Sequence, residues 1–235
     1  MAKRGTADSL VTEVHERIRA DILNGHWEPG EQLRVSALAK HYETSTTVVR
    51  EALTRLAGQR FVHLRPNHGF SVPRLSLADL QDITLVRCHT ETLALRLAIE
   101  RGDLAWESEV VAAHHRLANT PRRREDDPER VTEEWSAAHR SLHRTLIEAC
   151  GVPTLLDMCD TLFDITELRR RWSAPTLAAS VRDVAAEHAD LVAAALARDT
   201  ERATEQLREH YERTSRILLE SGLVEGVERM DDTAR

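Results

Sequence analysis

The side chains with the most chemistry to offer in this sequence are its histidines, twelve in all, and two of them stand at a telling spacing. His139 and His143 are four positions apart, so on a helix they share one face and can share a metal ion. Their neighbours Trp135, Leu142 and Leu146 are apolar, which turns the pair toward a bundle interior. His188 lies mid-helix among Val184, Leu191 and Val192, and His210 lies in the next helix among Leu207, Ile217 and Leu218. Four imidazoles projecting inward from three helices make a site in a bundle core. The alternative is a set of core or surface histidines satisfied without a metal. The adjacent His114 and His115 point about 100° apart on a helix and chelate poorly. His15, His26, His41, His63 and His89 read as surface or structural residues.

A second group of residues suits a polyanion. Ser45 can cap a helix that runs to about Gly58, with Val49, Leu53 and Leu56 on its inner face. Thr46, Thr47 and Arg50 then stand on the exposed leading turns, where hydroxyls and a guanidinium hydrogen-bond to DNA. Downstream, Arg65, Asn67 and His68 lie beside Gly69, a small residue that lets backbone approach a minor-groove wall. The plain alternative for Arg50 is an ion pair with Glu51 or Asp21.

The elements that must position these groups follow from periodicity and punctuation. Leu10, Val14, Ile18 and Ile22 mark one apolar face of a helix over 9–23, ended by Gly25. A turn at Pro29-Gly30, a short helix over 35–41 with Leu38 and Ala39 inward, and the Ser45 helix follow. Two β-like runs, 61–65 and 69–73, flank the turn Pro66-Asn67-His68. The chain is therefore expected to be mainly α: a winged helix-turn-helix over 1–75, three helices plus a β-hairpin wing, then an all-α bundle of about six helices over 76–222. Residues 223–235 are expected to form a disordered tail. The bundle helices are expected over 77–101, 103–119, 129–149, 153–171, 177–198 and 200–220. Between two of them, the proline-bounded run 120–128 carries the basic triplet Arg122-Arg123-Arg124, which reads as a solvated loop ahead of a DNA contact.

Composition agrees with two soluble domains. Hydrophobic residues make up 41% of 235, enough to bury a core, and the net charge is −7. That charge divides unevenly, +2 over residues 1–73 and −9 over the remainder, so the N-terminal part is the home for a polyanion. No apolar run approaches the roughly 18 residues of a membrane span, and no secretory signal opens the chain. Cys88, Cys150 and Cys159 are widely spaced and read as reduced thiols of a cytoplasmic protein. No residue stands out as a general base and no HExxH motif is present, so an enzyme is not expected.

Taken together, Ile22-Leu23-Asn24-Gly25, Pro29-Gly30-Glu31-Gln32-Leu33, Leu38-Ala39 and Val49-Arg50-Glu51-Ala52-Leu53 with Leu56 resemble the winged helix of GntR-type bacterial transcription regulators. The resemblance implies that Thr47, Arg50, His68 and Gly69 contact DNA. It also implies a dimer on a pseudo-palindromic double-stranded operator. This chain has Thr46 where the family often has arginine, and Arg34 stands next to Val35-Ser36, where the family often carries a charge.

Farther on, Thr84-Leu85-Val86-Arg87 with Glu91, His139-Arg140-Ser141-Leu142-His143, Glu187-His188 and Asp199 with Ala203 and His210 resemble the FCD ligand-binding domain of the FadR-like subfamily. Metal-binding members use an aspartate and three histidines. His143, His188 and His210 match the three histidines, and His139 stands where the aspartate would be. A divalent ion held by three imidazoles and a carboxylate keeps one positive charge, whereas four neutral imidazoles leave two. Nitrogen-only ligation suits zinc, nickel or copper better than magnesium or calcium. The resemblance further implies a small carboxylate effector beside the metal. Arg87 is the expected second anchor, with an i, i+4 ion pair to Glu91 as the other reading. A helical domain that only dimerises is the competing reading of the bundle.

Overall fold

The computed structural model describes residues 3–128, 130–173, 182–220 and 224–225. It divides into two compact units, Met1–Leu75 with Glu167–Trp172, and Ser76–Thr166 with Ser173–Arg235.

In the first unit, α1 (Lys3–Leu23) starts earlier than its apolar pattern predicts. Its inner face is Val11, Val14, Ile18 and Ile22, while Leu10 is exposed. Leu10 was the expected face residue; a strict step of four drifts off a 3.6-residue helix, and Val11 keeps the phase. Gly25, at φ +73°, follows the end of the helix in the left-handed region. Next come β1 (Gln32–Leu33), α2 (Val35–His41) and α3 (Thr46–Gly58). Leu38 and Ala39 of α2 are buried, as are Val49, Ala52, Leu53 and Leu56 of α3. The wing is β2 (His63–Arg65) and β3 (Gly69–Ser71), paired antiparallel with Leu64 opposite Phe70. Both strands are shorter than expected: Phe61 and Val62 precede the ladder and pack in the core, and Val72, also in the core, bonds through its backbone to Gly30 and Glu31. The sheet has a third strand, in the order β1-β3-β2; two residues are too few for β1 to show an alternating pattern.

The second unit follows β4 (Leu75–Ser76) with α4 (Leu77–Arg101), α5 (Leu104–Ala118), α6 (Glu133–Glu148), α7 (Pro153–Ser173), α8 (Val184–Leu196) and α9 (Thr200–Glu220). Side-chain caps set most of the starts. Ser76, Asp103, Thr132 and Asp183 each accept a backbone N–H from the first turn of α4, α5, α6 and α8. Two expected helices accordingly begin late. The one expected from 129 starts at Glu133, because Thr132 caps it and the Thr132 N–H is held by the Arg122 carbonyl at 3.0 Å. The one expected from 177 starts at Val184, and the stretch 174–181 lies outside the described residues. The tail expected to be disordered from 223 contains the strand β5 (Val224–Glu225), which pairs in a two-stranded sheet with β4. Backbone pairing of that kind leaves no mark on composition. Residues 226–235 lie outside the described residues.

One division cuts across the sequence boundary. The expected bundle domain, 76–222, includes residues 167–172, yet the end of α7 groups with the first unit. Leu168 joins the core of Ile18, Leu53 and Phe61. Beside it, Glu167 is buried and accepts from Arg170 at 2.7 Å and Arg171 at 2.8 Å. Desolvation alone would raise this carboxyl, but the two guanidiniums hold it down to about 2. A depressed carboxyl adds stability that is fully present above its ordinary value of 4.5 and is lost as the pH falls through 2. Glu167→Gln is expected to cost about 3 kcal/mol, because it leaves two poorly solvated guanidiniums short of their counter-charge. Thermal melts at neutral pH check this, and an unchanged Tm would show the carboxylate to be idle.

Candidate functional site

The leading turn of α3 is presented to solvent. Ser45 accepts the Val48 N–H at 3.3 Å, so the helix opens cleanly, and no acidic residue lies in its first turn. Thr46, Thr47 and Arg50 are exposed, while Val49 and Leu53 anchor the opposite face. Neither expected rival holds Arg50. Glu51 pairs with Arg55 at 2.8 Å, and Asp21 accepts from the Tyr42 hydroxyl at 2.5 Å. At the wing, Arg65, His68 and Gly69 are exposed, with Arg65 opposite Gly69 in the ladder. Gly69 sits at φ +75° with open space around it, so the hairpin turn, rather than crowding, demands glycine here. Arg34, also exposed, occupies the N-cap position of α2 without a side-chain cap bond. All seven expected DNA-facing residues are thus on the surface of the first unit. Positive helix-end charge, hydroxyls and guanidiniums there suit a phosphate backbone.

The four histidines converge in the second unit. His139 and His143 come from α6, His188 from α8 and His210 from α9, and all four are buried. One ring nitrogen from each lies within 4.8 Å of the others. Nε2 of His143 and Nε2 of His188 are 3.3 Å apart. Two such nitrogens share a proton or ligate a common cation, and a tetrahedron with metal–nitrogen bonds of about 2.0–2.1 Å has edges of roughly 3.3 Å. Burial pushes His210 down to about 4 and His188 well below its ordinary value, so both rings are neutral and have a lone pair to give. The donor set therefore fits a borderline transition metal and offers nothing to a hard cation that wants oxygen.

The outward nitrogens are held by a surrounding layer that spacing alone did not reveal. His210 Nδ1 donates to Glu187 Oε2 at 2.8 Å, which directs Nε2 inward. Glu187 is fixed by Arg182, at 2.8 and 2.5 Å through two nitrogens, and Arg182 also reaches the Thr214 hydroxyl at 2.8 Å. Although burial opposes its charge, Glu187 is held well below the usual carboxylate range by Arg182 and His210. On the other side, His143 Nδ1 is 3.3 Å from the Tyr211 hydroxyl, and that hydroxyl donates to Glu91. Trp135 stacks on His139 with centroids 4.8 Å apart. Only adjacency hinted at these partners: Glu187 precedes His188 and Tyr211 follows His210.

Arg87, expected to anchor an effector, is buried and bonded to Glu91 at 2.5 Å, with its guanidinium 3.9 Å from the centre of the Tyr211 ring. This is the i, i+4 pair that the spacing allows. Arg87 thereby continues the line His143–Tyr211–Glu91. Cys88, Cys150 and Cys159 are free and buried, and burial raises the Cys88 thiol to about 11 and the Cys159 thiol to about 12.

Comparison with known proteins agrees with both halves. Residues 10–72 match the family described as bacterial regulatory proteins, gntR family, and residues 82–213 match the FCD domain. The chain is 36% identical over 216 residues to the HTH-type transcriptional regulator BphR of Paraburkholderia xenovorans (strain LB400), covering 92% of this chain and 88% of that one. It is 35% identical over 196 residues to the HTH-type transcriptional repressor GlaR of Escherichia coli (strain K12), covering 82% of this chain and 88% of that one. The solved structure of E. coli McbR/YncC aligns with a TM-score of 0.71 at 24% identity over 90% of this chain and 97% of that one, a likeness of fold.

The Tyr211 hydroxyl links His143 of the cluster to Glu91 of α4. Removing it with Tyr211→Phe deprives a buried carboxylate of a donor and is expected to cost about 2 kcal/mol. A thermal melt that leaves Tm unmoved would show that the hydroxyl holds nothing.

Proposed function

Since the chain belongs to the GntR family of bacterial transcriptional regulators and carries an FCD domain, we propose that it is a metal-dependent repressor whose grip on its operator is set by a small organic acid. The observation that carries the DNA half is the exposed leading turn of α3, with Thr46, Thr47 and Arg50 beside a wing bearing Arg65, His68 and Gly69. In such a fold this helix enters the major groove and the wing follows the backbone. Repression is the favoured direction because the relative GlaR is described as a repressor.

The observation that supports the sensing half is the buried set His139, His143, His188 and His210. Zinc is the favoured ion, with nickel and copper as alternatives. A bound ion would supply a Lewis-acidic centre of undiminished double charge, which suits an anionic effector. Glu187 and Tyr211 orient the imidazoles; Arg182 fixes Glu187, and Glu91, itself held by Arg87, accepts from the Tyr211 hydroxyl. Residues 1–75 serve as the DNA-binding domain and 76–222 as the effector-binding and dimerisation domain. A homodimer is supported by an apolar stripe on the outward side of α4, where Leu85, Val86 and Leu93 are 59%, 43% and 49% exposed. Two copies would present two reading helices to a two-fold operator. Effector binding that favours one dimer arrangement then shifts the DNA-competent population.

Fluorescence anisotropy with the DNA upstream of the gene tests the reading. Binding is expected to be sequence-specific, to weaken with salt, and to fall about tenfold or more for Arg50→Ala, whose position is exposed and leaves the fold intact. Absence of salt-sensitive, sequence-specific binding would overturn the assignment.

A further inference from the structure

Asp21 of α1 belongs to neither site described above, yet it gathers polar side chains from beyond its own helix. Its Oδ2 accepts from the Tyr42 hydroxyl at 2.5 Å, and ring nitrogens of His26 and His41 lie 3.6 and 3.9 Å from its two oxygens. Tyr42 is 4% exposed, with the Arg17 guanidinium 5.1 Å from the centre of its ring and the His41 ring edge-on at 4.7 Å. Burial, and then the bond to Asp21, push its hydroxyl well above the ordinary value, so it stays protonated and donates.

Tyr42 is also where α2 ends. Residues 42–45 are the turn of the helix-turn-helix, and their geometry sets the direction in which α3 presents Thr46, Thr47 and Arg50. This turn contains no glycine: Glu43 lies at φ +52°, in the left-handed region that a side chain disfavours. Such a conformation persists where its surroundings over-determine it. The backbone bonds run back into α2, from the Thr44 N–H to the Ala39 carbonyl at 2.9 Å and from the Glu43 N–H to the Lys40 carbonyl at 3.4 Å. Among the described residues, the buried Thr44 hydroxyl has no hydrogen-bond partner. The Tyr42 side chain is what crosses to another helix, and that helix, α1, shares one apolar core with α3 through Ile18, Ile22, Val49 and Leu53.

We propose that Tyr42 and Asp21 are positioning residues for DNA recognition: their bond pins the turn to α1 and fixes the angle at which the leading turn of α3 meets base edges. The proposal rests on the reading that this leading turn enters the major groove. It separates two kinds of contact. Contacts to phosphate tolerate a small tilt of the helix, because long side chains can follow the backbone, whereas bidentate contacts to base edges do not. Loss of the bond is therefore expected to weaken the operator complex and to spare non-specific DNA. The sign is diagnostic. Removing a carboxylate tightens binding to a polyanion where charge alone acts, and weakens it where the carboxylate holds the reading helix in place.

The test is fluorescence anisotropy of the full-length protein, well below the melting midpoint of each variant, on the DNA upstream of the gene and on a scrambled duplex of equal length. Tyr42→Phe keeps the ring and removes only the hydroxyl. It is expected to weaken operator binding about fivefold or more while affinity for the scrambled duplex stays within about twofold. Asp21→Ala is expected to match it. Asp21→Asn, which keeps an oxygen to accept the bond, is expected to stay within about twofold of wild type, and Tyr42→Phe combined with Asp21→Ala is expected to be no weaker than either alone. Amide hydrogen exchange in Tyr42→Phe is expected to quicken at Thr44 and Val48 and to stay slow at Leu53 and Leu56, which places the loss in the turn rather than in the core. Operator affinity unchanged in Tyr42→Phe would overturn the positioning role while the DNA-reading assignment stands, as would tighter binding by Asp21→Ala or an equal loss on both duplexes. If wild type itself does not distinguish the operator from the scrambled duplex, that assignment falls and the positioning role falls with it.

Discussion

A neutral imidazole carries one donor nitrogen and one acceptor nitrogen, and the helical unit buries four imidazole rings with one nitrogen of each within 4.8 Å of the others. Buried polar atoms must find partners, so this arrangement constrains everything around it. The outward nitrogens of His143 and His210 meet Tyr211 and Glu187, and the inward ones converge to within a few ångströms. Crowded lone pairs of this kind are tolerated when a proton or a cation stands among them. In the same helices α6, α8 and α9, Leu142, Leu191 and Leu207 belong to one apolar core.

The same constraint reaches the surface of the domain. Tyr211 donates to Glu91, and Glu91 holds Arg87, so the cluster is wired to α4, the helix whose opposite side carries the exposed Leu85, Val86 and Leu93. Trp135 links it the other way, to Arg122 and to a cavity between α5 and α8. The cluster is therefore joined through a few side chains in contact to that cavity and to the helix that carries the exposed apolar face.

Much of this was legible in the sequence, and the parts that were not share a cause. The i, i+4 pair His139 and His143, and the placement of His188 and His210 on apolar faces, are local signals, as are the Ser45 cap and the Gly69 turn. Local signals survive folding. Leu10 was misplaced because a repeat of four slips against the helix. The strand Gln32–Leu33 and the strand Val224–Glu225 were missed because two-residue pairings depend on a partner elsewhere in the chain. Grouping of Glu167–Trp172 with the first unit, the bond from Tyr211 to Glu91 across 120 positions, and the approach of Arg122 to Trp135 are long-range facts of the same kind. Arg87 is instructive. The residues admitted both an effector clamp and an i, i+4 pair with Glu91, and the structure shows the pair, with both side chains buried.

The proposed metal centre would have nitrogen ligands alone, from His139, His143, His188 and His210. X-ray absorption spectroscopy on the zinc-loaded protein, with metal content measured on the same sample, addresses it directly. One zinc per chain is expected, with about four nitrogen neighbours at roughly 2.0–2.1 Å and an imidazole scattering pattern. A protein that retains no zinc, or a shell dominated by oxygen or sulfur, would contradict it.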